Sequence, residues 1–372
     1  MVRVIFLKKY IAFLLILVTV LTVPFSAAAE SGAFLVMDGY TLEVLEHQNG
    51  DVRLPMASTT KVMTALVILE TVELKQKVII PKEAAGTEGT SLYVKAGEEY
   101  TIEQLLYGLL LQSANDCAEA LAWYAGGKNT NAFVAMMNRK AVEIGLKDTH
   151  FANASGLPAE EHYTTARELA LIMSEAMKNE TFRTITATKR CTIKDKSVVN
   201  HNRLLSLYPD CIGGKTGYTI EAGRCLVTVA ERQGAPLICV TLGRRDDWNI
   251  HAAAYEKWFA TLETVTLTEK EEFRTELPVA GGGRVFAVNS SAVEARVFQY
   301  DETAVPLVLS APFVYGNKEA GAVVGTVEFW YHDTKIGESP LVLCEPVTVQ
   351  LKKELFITRI FRFFRRIFLK NK

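Results

Sequence analysis

Several common signatures are missing from this 372-residue chain. It has no Cys-x-x-Cys pair, which leaves zinc-ribbon and thioredoxin-type chemistry without a footing. The Gly-x-Ser-x-Gly elbow and the His-Glu-x-x-His helix are also absent, so the commonest hydrolase arrangements are excluded. Excess charge of one sign is scarce, with a net of −1. That balance hides three regions: residues 1–29 carry +3, residues 352–372 carry +7, and the body between them therefore carries −11. An acidic body without a basic stripe argues against a nucleic-acid partner. With 49% hydrophobic and 22% charged residues, the chain is neither disordered nor collagen-like nor a disulfide miniprotein. The six cysteines (Cys117, Cys191, Cys211, Cys225, Cys239 and Cys344) are dispersed, and buried free thiols or one bridge are expected.

What is present begins with an address. Arg3, Lys8 and Lys9 precede an apolar run over 10–23, then Pro24 and the small residues Ser26 to Ala29. This is the order of a secretory signal, with cleavage expected after Ala29. The run is short for a membrane span, and an uncleaved anchor is the alternative.

Two regions follow. Over 30–262, strands are expected at 33–37, 41–45, 224–230 and 236–242, where alternating or continuous apolar residues surround turns. Helices are expected from Ser58, from Thr101 (whose spacing to Gln104 makes a capping box), and over 115–124, 131–144, 164–178 and 251–261. The order suggests a mixed sheet covered by helices. From 263 to 351 the pattern changes to short β-rich stretches separated by Gly and Asp/Asn turns, which predicts a small all-β domain.

Three polar motifs carry chemistry. Ser58-Thr59-Thr60-Lys61 is the chain's one Ser-x-x-Lys, and at i, i+3 on a helix the Lys61 amine can reach the Ser58 hydroxyl. A serine needs a neighbouring base to become a nucleophile, and a lysine held neutral by burial or a nearby cation can be that base. Ser113-Ala114-Asn115 offers a hydroxyl for proton relay and an amide for a peptide group, at a place where an N-cap pair is also an ordinary finding. Lys215-Thr216-Gly217 supplies a cation, a hydroxyl and a glycine that lets a ligand lie against backbone. Each is common alone. All three, once each and in this order, are not.

With Leu54–Ala57, Asn153–Leu157, Asn200–Leu205 and Gly213–Thr219 beside these motifs, the chain resembles the low-molecular-mass penicillin-binding proteins, the serine-type D-alanyl-D-alanine carboxypeptidases. The resemblance covers about residues 30–350. It implies an α+β, serine β-lactamase-like transpeptidase-type catalytic domain followed by a small β domain. It further implies that Ser58 forms an acyl-enzyme with the carbonyl between two terminal D-alanines, that Lys61 takes its proton, and that Ser113 relays it to the leaving D-alanine beside Lys215. Asn115 would hold the substrate's peptide amide, and Thr216 would help recognise its carboxylate. Gly217 lies on the binding strand, and the N–H groups of Ser58 and Tyr218 would form an oxyanion hole. No metal or organic cofactor is implied. The implied partners are the D-Ala-D-Ala end of peptidoglycan pentapeptide and the β-lactams that mimic it. An arginine beyond the Lys-Thr-Gly strand often serves this family's substrate carboxylate; Arg244 and Arg245 match that position only loosely.

The tail alternates Phe and Ile with Arg. At helical spacing, Phe356, Ile360, Phe363, Phe364 and Ile367 fall opposite Arg359, Arg362, Arg365 and Arg366. Such a face predicts a helix lying on an anionic membrane surface, outside the cytoplasm and facing the cell wall. The competing functions are a non-catalytic penicillin sensor and a β-lactamase or esterase on the same scaffold. For the β-lactamase, a Glu-x-x-x-Asn pattern is wanted, and Glu160 and Glu161 meet Thr164 and Thr165 at that spacing instead.

Overall fold

The computed structural model describes residues 32–298, 300 and 304–348. The expected signal over 1–29 and tail helix over 352–372 lie outside the described residues. Strands β1 (Ala33–Asp38) and β2 (Val44–Gln48) form the expected N-terminal hairpin. At its turn the Asp38 carboxylate accepts the N–H groups of Tyr40 (2.8 Å) and Thr41 (3.3 Å), as short acidic turn residues do.

Ser58 does not open an α-helix directly. It sits in a single 3₁₀ turn, Ala57–Thr60, from which α1 (Lys61–Thr71) continues. Residues Lys61 to Ile68 are all buried, so α1 is enclosed on every side rather than amphipathic. A small hairpin, β3 (Lys77–Ile79) with β4 (Glu99–Thr101), leads into α2 (Ile102–Leu110). The predicted capping box is formed: Gln104 N donates to Thr101 Oγ1 (3.2 Å), and Thr101 N to Gln104 Oε1 (3.0 Å). Helices α3 (Asn115–Ala125), α4 (Thr130–Glu143) and α5 (Ala166–Met177) follow close to the apolar spacing. Helix α5 starts later than expected because Thr164 bridges to Leu54 while Thr165 caps the helix by accepting Glu168 N at 3.1 Å. Sequence reading missed α6 (Glu180–Ala187), the hairpin β5 (Arg190–Ile193) and β6 (Lys196–Val199), and the single turn α7 (Leu204–Leu207). These are short, and α6 buries only Phe182 and Ile185 among its apolar residues.

Strands β7 (Cys211–Thr219), β8 (Gly223–Arg232) and β9 (Ala235–Leu242) complete a five-stranded sheet in the order β2-β1-β9-β8-β7. Every pairing is antiparallel, so the expected mixed sheet is corrected: tight turns join β1 to β2 and β7 to β8 to β9, and after the helices inserted between β2 and β7 the strand β9 meets β1 antiparallel. Alternation sends Leu35, Val227, Val229 and Val240 into the core with α1–α6, and Val36, Leu226 and Cys239 toward α8 (Asp247–Phe259) on the other face. All six cysteines are free; Cys117, Cys211, Cys225 and Cys239 are buried thiols as expected, and Cys344 is exposed.

From Leu262 onward the described residues form strands β10 (Leu262–Thr268), β11 (Arg274–Pro278), β12 (Arg284–Asn289), β13 (Val293–Phe298), β14 (Val305–Ser310), β15 (Val323–Tyr331) and β16 (Thr334–Leu343). β10 pairs with β13, and the others form a sheet in the order β11-β12-β16-β15-β14. Val293, Ala295 and Val297 share a core with Val327, Phe329 and Leu341. The two regions touch where Tyr40 Oη donates to the Lys335 carbonyl (3.1 Å) and Phe259 meets Phe298, with ring centres 6.1 Å apart. No helix among the described residues is long and apolar enough to cross a membrane.

Candidate active site

The 3₁₀ turn matters because Lys61, its C-cap, donates its backbone N–H to the Ser58 carbonyl, an i to i+3 bond that stacks the two side chains. Lys61 Nζ accordingly lies 2.9 Å from Ser58 Oγ. Two further partners hold the amine: Asn115 Oδ1 at 2.7 Å and the Ser155 carbonyl at 2.5 Å. Lys61 is fully buried, and burial first, then the charge of Lys215, pushes its pKa well below the usual lysine value of 10.5. A neutral amine has two N–H bonds and one lone pair. Asn115 Oδ1 and the Ser155 carbonyl can only accept, so the lone pair is left facing the Ser58 hydroxyl.

Ser113 occupies the turn between α2 and α3 at φ 61°, the left-handed region that a serine enters at a cost of order 1–3 kcal/mol. The surroundings hold it there. Ala114 N donates to the Gly108 carbonyl (3.1 Å), Asn115 N to that of Thr90 (2.7 Å), and Lys215 Nζ to Ser113 Oγ (2.9 Å). Lys215 is buried, and burial brings its pKa down to about 7. Asn115 is nearly buried, and besides accepting from Lys61 it donates through Nδ2 to the Glu88 carbonyl at 2.8 Å.

Lys215, Thr216, Gly217 and Tyr218 are consecutive on β7, whose one strand neighbour among the described residues is β8. Its other edge runs beside the 3₁₀ turn. A Cβ on Gly217 would sit 2.9 Å from Ser58 N, so glycine is what permits the approach. On the opposite side, Gly156 at φ 84° passes so close that a Cβ would meet the Ala57 carbonyl oxygen at 2.0 Å. Ser58, Ser113, Thr216, Gly217 and Tyr218 line an open cleft of about 540 Å³. His201 lines it too, and burial followed by the charge of Lys215 lowers its pKa from 6.5.

The seven residues expected from the motifs, and Tyr218 that the resemblance adds, thus meet at one place: five line the cleft, and Lys61, Asn115 and Lys215 lie buried behind them. Two contributors were not singled out as site residues. The Ser155 carbonyl is backbone and carries no side-chain signal, although Asn153 hints at it by accepting Ser155 N (3.1 Å) and Gly156 N (2.7 Å) to shape that turn. Arg224 also lines the cleft, paired to the buried Asp247 at 2.7 and 3.0 Å. Arg244 instead turns to Gln48 on β2.

The chain matches the D-alanyl-D-alanine carboxypeptidase family, Peptidase S11, over residues 20–246. It is 35% identical over 226 residues to D-alanyl-D-alanine carboxypeptidase DacF of Bacillus subtilis, a match covering 58% of each protein. To D-alanyl-D-alanine carboxypeptidase DacA of Escherichia coli K12 it is 32% identical over 352 residues, covering 87% of this chain and 85% of that one. Among solved structures, PBP3 of Streptococcus pneumoniae, described as a peptidoglycan synthesis regulatory factor, shares the fold with a TM-score of 0.70. That likeness spans 85% of this chain and 98% of the other at 22% identity.

Proposed function

The chain belongs to the D-alanyl-D-alanine carboxypeptidase family of serine hydrolases, whose members act on peptidoglycan outside the cytoplasm, and from that premise we propose the step each residue performs. The terminal D-Ala-D-Ala of a stem peptide lies along the free edge of β7, with its carboxylate near Thr216. Lys61 removes the Ser58 proton as Ser58 Oγ attacks the penultimate carbonyl. The oxyanion forms between the N–H groups of Ser58 and Tyr218. Collapse breaks the peptide bond as Ser113, supported by Lys215, relays the proton held by Lys61 to the departing D-alanine amine and leaves Lys61 neutral again. Water then attacks the ester carbon, giving a proton to Lys61, and Lys61 returns it to Ser58 Oγ as the shortened peptide leaves. Asn115 keeps Lys61 aimed at Ser58 and is the side chain expected to meet the substrate's peptide amide. A β-lactam enters the same way and leaves Ser58 acylated.

The observation that carries this reading is the environment of Lys61: buried, low in pKa, and with two acceptor-only partners that leave its lone pair for Ser58. We also propose a division into a catalytic domain over 30–262 and a β domain over 263–351, export by the N-terminal signal, and attachment of the basic tail to an anionic membrane surface.

The test is D-alanine release from diacetyl-Lys-D-Ala-D-Ala together with covalent labelling by a fluorescent penicillin. The parent is expected to do both and Ser58→Ala neither, at unchanged melting temperature. Release by Ser58→Ala would overturn the mechanism.

A further inference from the structure

We propose that the β domain itself touches the membrane: the end of its sheet farthest from the active site presents Phe313 and Tyr315, flanked by Leu309 and Val323, to the lipid interface beside the tail. The proposal rests on the reading of the tail as a membrane anchor.

Strand register places the two ends. In the antiparallel set β14-β15-β16, Ser310 lies opposite Gly325 and Val323 opposite Val342. The end of β14, the start of β15 and the end of β16 therefore share one end of the sheet. At the other end the β15–β16 turn meets the catalytic domain, with Lys335 receiving Tyr40 Oη and His332 standing 3.6 Å from Glu43. The nine residues of β15 set these ends about 30 Å apart.

The far end exposes apolar side chains beside the exposed acidic residues Glu319 and Glu345. Val323 is 62% exposed, Tyr315 57%, and Phe313 and Leu309 46% each. The two aromatic residues are held in place rather than left on a loose loop. Val314 between them is buried, and its N–H donates to the Pro278 carbonyl at 2.8 Å. Their rings stand edge to face with centres 6.1 Å apart. A fixed, outward pair of amphipathic or apolar rings suits the boundary between headgroups and acyl chains.

The chain's exit identifies what covers this end. Lys318 and Val347 exchange two backbone hydrogen bonds, at 2.9 and 2.8 Å. Tyr315 is three residues from Lys318, so it lies within roughly 15 Å of Val347, where the chain departs toward the tail. A bilayer that receives the Phe/Ile face of residues 355–369 so soon after this exit also lies against Phe313 and Tyr315. Tail binding draws on charge and weakens in salt, whereas the patch contributes apolar contact that salt does not screen.

The test uses the exported full chain and vesicles of equal parts phosphatidylcholine and phosphatidylglycerol, some carrying brominated acyl chains. Phe313→Trp is expected to gain bromolipid-quenched emission that the parent's four tryptophans do not show. Phe313→Ser/Tyr315→Ser is expected to sediment with vesicles about tenfold more weakly at high salt while labelling with penicillin like the parent. Vesicle binding without quenching at position 313 overturns this proposal and leaves the tail reading standing. Failure of the parent to bind vesicles overturns both. A parent that dimerises without lipid, and is made monomeric by the double substitution, assigns the patch to a second copy and also overturns it.

Discussion

The two regions of the molecule treat charge in opposite ways. The α/β region buries Lys61, Lys215, Asp116, Asp247 and His251, each no more than 2% exposed. In the β region the buried polar side chains among the described residues are Thr268, Asn289 and Ser339, none of them charged. Burying an ionisable group is costly, and a fold retains it where its altered chemistry or its hydrogen bonds are used. Lys61 faces Ser58 and Lys215 faces Ser113, the serines of the proposed mechanism. Asp116 accepts from Ser91 Oγ (2.6 Å), Leu92 N (3.0 Å) and Val94 N (3.0 Å), which ties down the loop whose Glu88 and Thr90 carbonyls hold Asn115. The β region needs none of this. It is held by alternation and cross-strand packing.

Substitutions can break that contrast, beginning with the most severe. Lys61→Ala should slow Ser58 acylation by penicillin about a thousandfold without unfolding the protein, measured by stopped-flow labelling. Asn289→Ala should destabilise the β region by about 3 kcal/mol while leaving acylation at the parent rate. Its side chain accepts Phe273 N (2.9 Å) and donates to the carbonyls of Glu269 (2.7 Å) and Ser291 (2.8 Å), so three groups lose a buried partner. Equal loss of acylation would mean that the regions unfold as one unit.

Acid should separate the regions more gently. His251 is held neutral between Thr228 and Thr241, and burial lowers its pKa from 6.5 to about 3. The unfolded chain binds this proton more readily, so the contribution is complete above pH 6.5 and is lost as pH falls toward 3. Denaturant titrations across that range should show the loss for the parent and a shallower one for His251→Gln. The smallest effect is expected at Arg53, which contacts Asp148 at 2.7 Å with both side chains about half exposed. Arg53→Ala should leave the melting temperature and acylation unchanged, because exposed ion pairs are screened and flexible.

Much of the site was legible in the sequence because the chemistry demands particular side chains at short spacing. Ser58 and Lys61 are three residues apart, and local geometry alone brings them within reach. The Thr101–Gln104 capping box was legible for the same reason. Ser155 was not, because it contributes a carbonyl that any residue possesses. The brief elements α6, β5 and β6 were also missed, since four to eight residues display too little periodicity to distinguish them from loop.

The sequence by itself determined which serine, lysine and second serine the proposed mechanism uses and the change from α/β to β composition, all set by local spacing and side-chain chemistry. Only the tertiary structure decided that Lys61 is dry, that Lys215 stands behind Ser113, and that the N-terminal hairpin closes onto β9. Those depend on contacts between residues tens to hundreds of positions apart, such as Lys215 with Ser113 and Ala33 with Leu242. The free energy of removing an amine from water is a property of the packed surroundings, and no single segment carries it.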